Sequence, residues 1–124
     1  MMDMAWSVEG TDQFSEWYNG LDAGETGRVN EAVEQLTEHG PALGRPLVDT
    51  VTGSAFGNMK ELRVSTGSGQ LRILFAFDPR RTAILLFGGN KAGQWRAWYA
   101  ENIPVADQLY REYLAELRQE GLIE

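Results

Sequence analysis

The sequence of 124 residues contains no cysteine and a single histidine, His39. Without cysteine, neither a disulfide framework nor a thiolate metal site can form, and one histidine is too few for a histidine-rich metal cage. No stretch approaches the roughly 18 apolar residues that a membrane-spanning helix requires. The opening residues MMDMAWSVEG lack the basic and then apolar order of a secretory signal. We therefore expect a cytoplasmic protein that uses no metal or other cofactor and does not enter a membrane.

Charge is unevenly distributed along a chain whose length and 43% apolar content fit one domain, residues 1–124. The net charge of −7 divides into −8 for residues 1–59, +5 for residues 60–96 and −4 for residues 97–124. An acidic protein with one basic segment can still present a local anion-binding face. A mixture of solvated charges gives the same local excess, so both interpretations stay open.

The spacing of apolar residues predicts helices and strands in a definite order. A short strand over residues 5–9 precedes two helices, one capped by Thr11 and one that starts with the capping-box spacing of Asp22 and Glu25. The basic segment is predicted to form three strands, Lys60–Ser65, Leu71–Phe77 and Ala83–Phe87. The resulting order β-α-α-β-β-β-α is typical of an α+β fold, with a small twisted, mostly antiparallel sheet and a helical hairpin on one face.

Two segments show no regular period. Residues 41–59 contain only a short extended stretch near Leu47–Val51. Residues 91–102 are polar, aromatic and irregular, so the last helix is predicted to begin after the cap Asn102, with Pro104 in its first turn. The pattern leaves open whether this helix packs on the sheet or extends away from it.

Several short motifs together carry a resemblance to a known family. They are KELR at residues 60–63, RILF at 72–75, the glycines before Lys91, and WY at 98–99 ahead of IP at 103–104. Over about residues 40–114 the chain resembles the HigB-type, phage Gp49-like branch of the RelE/ParE toxin superfamily, whose fold has the element order predicted above. Two positions differ from the usual pattern of that branch, since Asn90 stands where an acidic residue is common and Ala55 where a basic one is common.

The resemblance implies the toxin of a type II toxin–antitoxin system. Such a toxin is a metal-independent endoribonuclease that cleaves mRNA, with assistance from the ribosome, and so inhibits translation and arrests growth. The implied partner is a HigA-type helix-turn-helix antitoxin, and operator DNA would be contacted only through that antitoxin. Two alternatives remain, namely a ParE-like gyrase inhibitor without catalytic activity and a degenerate toxin that acts only as an antitoxin-binding co-repressor.

Three cations of the basic segment are the candidate catalytic residues. The resemblance implies cleavage through the 2′-hydroxyl of the substrate, which places negative charge on a phosphorane, and preorganised cations stabilise that charge. Arg72 is expected at an exposed position opposite the apolar face of its strand, where its fork can hold a phosphate or form a salt bridge with Glu61 or Asp78. Lys91 follows a glycine pair that would let RNA approach the backbone, although it can equally be a solvated lysine. Arg63 should share the face of Arg72 by the strand period of two.

Three further residues are predicted to bind RNA. Trp95 offers a stacking surface, and Arg96 beside it can contact the RNA backbone or, alternatively, pack beneath the last helix. Lys60 lies on the strand face opposite that of Arg63, and its stem can also simply cover apolar neighbours.

Overall fold

The computed structural model describes residues 5–67, 69–91 and 93–124. Within those ranges it contains three α-helices and five β-strands. In chain order they are β1 Ser7–Gly10, α1 Asp12–Asn19, α2 Ala23–His39, β2 Val48–Thr50, β3 Met59–Thr66, β4 Gly69–Phe77, β5 Thr82–Asn90 and α3 Trp95–Gln119, with one 3₁₀ turn at Gly40–Ala42.

The first two helices begin as their capping residues predict. The Thr11 hydroxyl accepts a hydrogen bond from the Phe14 backbone N–H, at 3.0 Å, and satisfies one of the unpaired donors at the start of α1. At the start of α2, the Glu25 N–H donates to Asp22 over 2.8 Å and the Asp22 N–H donates to Glu25 over 3.0 Å. This reciprocal pair confirms the predicted capping box.

The five strands form one open sheet in the order β1-β5-β4-β3-β2. The pairings β5–β4, β4–β3 and β3–β2 are antiparallel, and only β1 runs parallel to its neighbour β5. The predicted mostly antiparallel sheet is therefore confirmed. The short strand β2 corresponds to the extended stretch predicted near Leu47–Val51.

Helices cover both faces of the sheet. On one face, α1 and α2 pack against the side chains of β3, β4 and β5 in a cluster that includes Phe14, Leu36 and Phe75. On the other face, α3 packs against the same three strands in a cluster that includes Leu86 and Tyr110. The predicted helical hairpin on one face is confirmed, and the open question about the last helix is resolved, because α3 covers the second face.

The predicted start of the last helix is wrong. The helix begins at Trp95, not after Asn102, and Pro104 lies inside it. The Asn102 side chain does not cap the helix but donates to the Trp98 carbonyl, one turn earlier, over 2.9 Å. The first turns form because Trp98 and Tyr99 pack against the sheet, and such tertiary packing outweighs local preference. None of the described helices has both the length and the apolar character needed to cross a membrane.

Candidate functional site

The strand register brings the two candidate arginines together. Arg63 on β3 pairs directly with Arg72 on β4, and Arg72 pairs with Gly89 on β5. Side chains in such a row point to one face of the sheet. This is the α3 face, since Leu74, two residues after Arg72, packs in the cluster that contains α3. The prediction that Arg63 and Arg72 share a face is confirmed.

Arg72 is buried, contrary to the expected exposed position. Its residue surface is only 5% exposed, because α3 covers the face that the strand pattern left polar. Its Nη1 donates to the Leu71 carbonyl over 2.9 Å, and its Nη2 lies 3.5 Å from the Gln70 side-chain oxygen. Its Nε has no hydrogen-bond partner among the described residues and lies 3.8 Å from Glu61 Oε1. The anticipated ion pair with Glu61 is therefore present, whereas the one with Asp78 is not found.

Glu61 stands at the centre of the cluster. Although it is only 4% exposed, its two carboxylate oxygens have separate partners. Oε1 accepts from Arg63 Nε over 2.9 Å, and Oε2 accepts from the Tyr99 hydroxyl over 2.5 Å. Because Arg72 lies beside the same carboxylate, Glu61 holds two arginines and one tyrosine in fixed positions. Sequence reasoning considered Glu61 only as a salt-bridge partner of Arg72.

Tyr99 is the second site residue that sequence reasoning missed. It lies on the second turn of α3 and reaches across to β3. Burial, together with the hydrogen bond to Glu61, raises the pKa of the Tyr99 hydroxyl to about 12, although Arg72 opposes this shift. The hydroxyl is therefore a proton donor throughout the neutral range. The WY motif pointed to this position, but only as a family marker and without a chemical role.

Lys91 follows β5 directly and lies beside Tyr99 in the cluster around Glu61. Burial lowers the pKa of its ammonium group, and repulsion by Arg72 lowers it further, while Glu61 acts in the opposite direction. The Lys91 Nζ lies 5.9 Å from the ring centre of Trp95 and 5.8 Å from that of Tyr99. The lowered pKa leaves a larger fraction of this amine neutral at a given pH than in an ordinary lysine, so it can accept a proton more readily.

An exposed aromatic residue borders this cluster. Trp95 is 52% exposed at the first turn of α3, and its ring meets the Tyr99 ring edge-on with centres 6.3 Å apart. The Arg96 guanidinium carbon lies 5.2 Å from the centre of the Trp95 ring. Arg96 is exposed rather than packed beneath the helix. Two of the three predicted RNA-binding residues, Trp95 and Arg96, therefore stand beside the buried cluster, on its solvent side.

Lys60 is not brought to this cluster. It alternates with Leu62 and Val64, which pack in the core beneath α1 and α2. Its side chain thus belongs to the opposite face of the sheet from Arg63, as the period of two predicts.

The glycine pair before Lys91 was expected to let RNA approach the backbone. In the structure the backbone at both glycines is covered by side chains. The Trp17 ring of α1 packs on Gly88 from one face, and the Trp98 ring of α3 packs on Gly89 from the other. A Cβ atom added at Gly89 would lie 2.5 Å from Trp98 Nε1. The glycines therefore serve close helix–sheet packing, which lets α3 approach the site.

The two positions that differ from the family pattern have local structural contacts. The Asn90 side-chain oxygen accepts from the Gln70 N–H over 3.3 Å at the end of β5. The Ala55 N–H donates to the buried Asp107 carboxylate over 2.8 Å, which ties the loop before β3 to the middle of α3. Across the described part of the chain, no three histidine, aspartate or glutamate side chains converge in a way that could hold a metal ion.

Comparison with known families gives a match over most of the chain. The family described as "Phage derived protein Gp49-like" matches residues 16–111. Two Mycobacterium tuberculosis proteins that are named as toxins, HigB2 and HigB3, are 53% and 52% identical to the chain. The HigB2 match covers 91% of this chain and 56% of HigB2, so the chain spans little more than half of that relative. The HigB3 match covers 83% of this chain and 89% of HigB3.

Solved structures share the fold at low sequence identity. A mutant of the Escherichia coli toxin RelE in the free state has a TM-score of 0.55 and 9% identity, over 77% of this chain and 93% of that one. The archaeal RelE–RelB complex from Pyrococcus horikoshii gives a TM-score of 0.54 and 16% identity, over 73% of this chain and 99% of the matched one. The α+β sheet with helices on both faces is thus a RelE-type fold.

Proposed function

Because this chain belongs to the Gp49-like family and is a HigB-type member of the RelE toxin superfamily, we propose that it cleaves mRNA as a metal-independent endoribonuclease. As the toxin of a type II toxin–antitoxin pair, it would inhibit translation in the cytoplasm. The observation that carries the proposal is the convergence of Arg63, Arg72 and Lys91 around the Glu61–Tyr99 pair. Cations fixed in a largely buried site stabilise developing negative charge better than mobile cations in water.

The proposed reaction is an attack of a 2′-hydroxyl on the adjacent phosphorus. The new bond to the 2′-oxygen forms as the bond to the 5′-oxygen breaks, which leaves a 2′,3′-cyclic phosphate and a 5′-hydroxyl. Lys91 in its neutral form takes the proton from the 2′-hydroxyl, because its lowered pKa allows deprotonation. Tyr99, which stays protonated, would turn its hydroxyl away from Glu61 and give that proton to the leaving 5′-oxygen.

Arg63 and Arg72 have an electrostatic role in this scheme. Their guanidinium groups would offset the charge of the phosphorane oxygens, and Glu61 holds both of them in place through its carboxylate. Arg72 Nε is buried beside Glu61, 3.8 Å from Oε1, so Arg72 would act on the phosphate through its charge, while the more exposed Arg63 would make the direct contact.

Trp95 and Arg96 would hold the RNA beside the reacting phosphate. Stacking of a nucleobase on an exposed aromatic side chain contributes about 1–3 kcal/mol per base. Arg96 lies close enough to the Trp95 ring to contact the phosphate of a stacked nucleotide. The substrate would be single-stranded mRNA, presented on the ribosome.

The proposed protein partner is a HigA-type helix-turn-helix antitoxin. The Pyrococcus horikoshii neighbour was solved as a complex of RelE with RelB, so this fold accepts a protein partner in that case. For this chain we propose that the antitoxin inactivates the toxin by covering or distorting the cationic face, and that operator DNA is contacted only through the antitoxin.

The test of this function is cleavage of ribosome-free RNA by the purified protein in excess EDTA. We expect cleavage with a cyclic phosphate product, and no cleavage of a substrate that carries 2′-deoxyribose at the scissile position. Reactions with ribosomes are run separately, because ribosomes themselves require magnesium. Cleavage of the deoxy substrate, or activity on free RNA that disappears with EDTA and returns with a divalent ion, would contradict the mechanism. Inhibition of gyrase supercoiling without RNA cleavage would favour the ParE-like alternative.

A further inference from the structure

The row of charged side chains continues past Arg63 to the edge of the sheet. Asp49 on β2 pairs in register with Glu61 on β3. One carboxylate oxygen of Asp49, Oδ2, accepts from Arg63 Nη2 over 3.3 Å and from Arg45 Nη2 over 3.0 Å. The row therefore reads Arg45, Asp49, Arg63, Glu61 and Arg72, with each carboxylate placed between two guanidinium groups.

Arg45 is the exposed end of this row. Its side chain is 75% exposed, compared with 36% for Arg63 and 7% for Arg72, so accessibility rises steadily toward the edge. In the described part of the chain, the Arg45 guanidinium makes one polar contact, from Nη2 to Asp49, so Nε and Nη1 stay available. The guanidinium is thus oriented by one carboxylate while most of its donors face solvent.

The two carboxylates do not make the net charge of the row negative. The hydrogen bond from Arg45, followed by that from the Thr50 N–H, holds the pKa of Asp49 below its usual value, so this carboxylate stays ionised. Three arginines face two carboxylates along the row, and Lys91 adds a further cation at the other end. At the surface the row exposes Arg45 and Arg63 with Asp49 between them, so a strand of phosphates would meet a net positive edge there.

We propose that Arg45 is a further RNA-binding residue, at which the bound strand leaves the site across β2, and that Asp49 positions Arg45 and Arg63 as one phosphate-binding edge. Adjacent strands lie about 4.8 Å apart, so the path from β5 to β2 is about 14 Å long. That length exceeds one phosphodiester unit, and Arg45 therefore meets a phosphate other than the one that reacts. This inference rests on the proposed RNA-cleaving function.

The proposal predicts a dependence on RNA length. Binding is measured by fluorescence anisotropy, with RNA whose 2′-hydroxyls are all methylated so that it cannot be cleaved. The affinity of a labelled dodecamer includes contacts along the whole path from β5 to β2. The affinity of a trinucleotide competitor includes only contacts at the reacting site. We expect Arg45→Gln to weaken dodecamer binding about three- to tenfold at low salt, to reduce the salt slope by about 0.7, and to leave trinucleotide binding unchanged.

The control variant is Arg118→Gln, which removes one exposed arginine near the end of α3, outside the row. It should leave both affinities unchanged. Positioning by Asp49 is tested with a double-mutant cycle, in which Arg45→Gln has a smaller effect when Asp49→Asn is already present. Additive effects would show that Asp49 does not orient Arg45.

The outcomes separate this inference from the proposed function. Suppose that the wild-type protein binds the dodecamer. If the Arg45→Gln variant binds it with the same affinity, or binds the dodecamer and the trinucleotide more weakly by the same factor, the edge contact is wrong while the RNA-binding function stands. If the wild-type protein binds neither RNA, the proposed function fails and the edge contact fails with it. Thermal unfolding is the control for folding. If the Arg45→Gln variant has the same melting temperature as the wild-type protein, its effect on binding is local.

Discussion

Arg72 is a buried residue whose replacement affects both folding and chemistry. Removing its guanidinium with Arg72→Ala takes one cation away from Glu61, and an unsatisfied buried polar group costs about 1–3 kcal/mol. Arg72→Lys keeps the charge but loses the planar fork. We therefore expect a measurable loss of stability in urea unfolding for the alanine variant. The lysine variant should stay near wild-type stability but cleave RNA more slowly and relieve growth arrest on induction. Full activity of Arg72→Lys would show that the fork is not used.

Lys91 gives the site a predicted dependence on pH. Since its pKa is lowered, the neutral form becomes available below the usual lysine pKa of about 10.5. Cleavage by the wild-type protein should therefore rise with pH until this group has deprotonated. Lys91→Arg keeps a positive charge that does not titrate, so it should lose most of the rate and the rising limb together. If the Lys91→Arg variant kept the wild-type pH–rate profile, Lys91 would not be the general base and would have only an electrostatic role.

Tyr99 predicts a specific loss of stability at high pH. Its folded-state pKa of about 12 lies above the unfolded value of 10.0, so folding favours the protonated hydroxyl. The resulting contribution to stability is complete below pH 10 and is lost as pH rises toward 12. Tyr99→Phe cannot ionise and should reduce the slope of stability against pH in that window, measured by urea unfolding. Equal slopes for the two proteins would mean that the hydroxyl is not held as described.

The arginines of the site could be predicted from sequence, whereas the pair that organises them could not. The period of two along a strand placed Arg63 and Arg72 on one face, and the register confirms it. Glu61 and Tyr99 are 38 positions apart, and their hydrogen bond depends on how α3 crosses β3. No local pattern in the sequence encodes that crossing, so neither residue could be given a role.

Among the elements, the helix start illustrates how packing overrides local signals. The residues Asn102 and Pro104 resemble a helix start, because asparagine is a good cap and proline is tolerated in a first turn. Three-dimensional packing supplies what the sequence does not reveal, since Trp98 and Tyr99 bury their rings on the sheet and stabilise two turns ahead of the proline. The capped starts of α1 and α2 were predictable because their signals are satisfied by neighbours within a few residues.

The contact between Gly89 and α3 yields a prediction at this scale. Gly89→Ala forces the Trp98 ring away, which should move the first turns of α3 and separate Tyr99 from Glu61. Gly88→Ala is the matched control, because its methyl group meets Trp17 of α1 on the opposite face. Overpacking of this kind costs about 1–3 kcal/mol, so both variants should lose stability. Where both remain folded, only Gly89→Ala should lose cleavage, and equal activities would separate the position of α3 from catalysis.

Across the whole molecule, opposite charges occupy different regions. Residues 60–96, which form β3 to β5 and the start of α3, carry a net charge of +5, whereas residues 1–59 carry −8 and residues 97–124 carry −4. RNA should therefore approach the sheet where α3 begins, because α1, α2 and the rest of α3 carry an acidic excess. An overall negative charge is thus compatible with binding of a polyanion.

This distribution predicts a steep salt dependence of RNA binding. Each neutralised phosphate on a single strand contributes a slope of about −0.7 in log affinity against log salt, so three to five contacts give about −2 to −3.5. Affinity should then fall about 20- to 130-fold between about 50 and 200 mM salt. Anisotropy titrations measure the slope, with Arg118→Gln as the control that leaves it unchanged. Affinity independent of salt in this range is incompatible with a cationic binding face.

The parallel pairing of β1 with β5 has a consequence for how the chain folds during its synthesis on the ribosome. The register joins Ser7 to Thr82 and Gly10 to Leu85, so the first of the five described strands is held by the last of them. The helices that follow β1 have their core partners on β3, β4 and β5, which the ribosome delivers many residues later. Contacts this distant in sequence slow folding, because the chain must close long loops before it gains them. We therefore expect β1, α1 and α2 to complete their packing only after β5 has been synthesised, and a substitution in β5 to loosen the packing of these early elements.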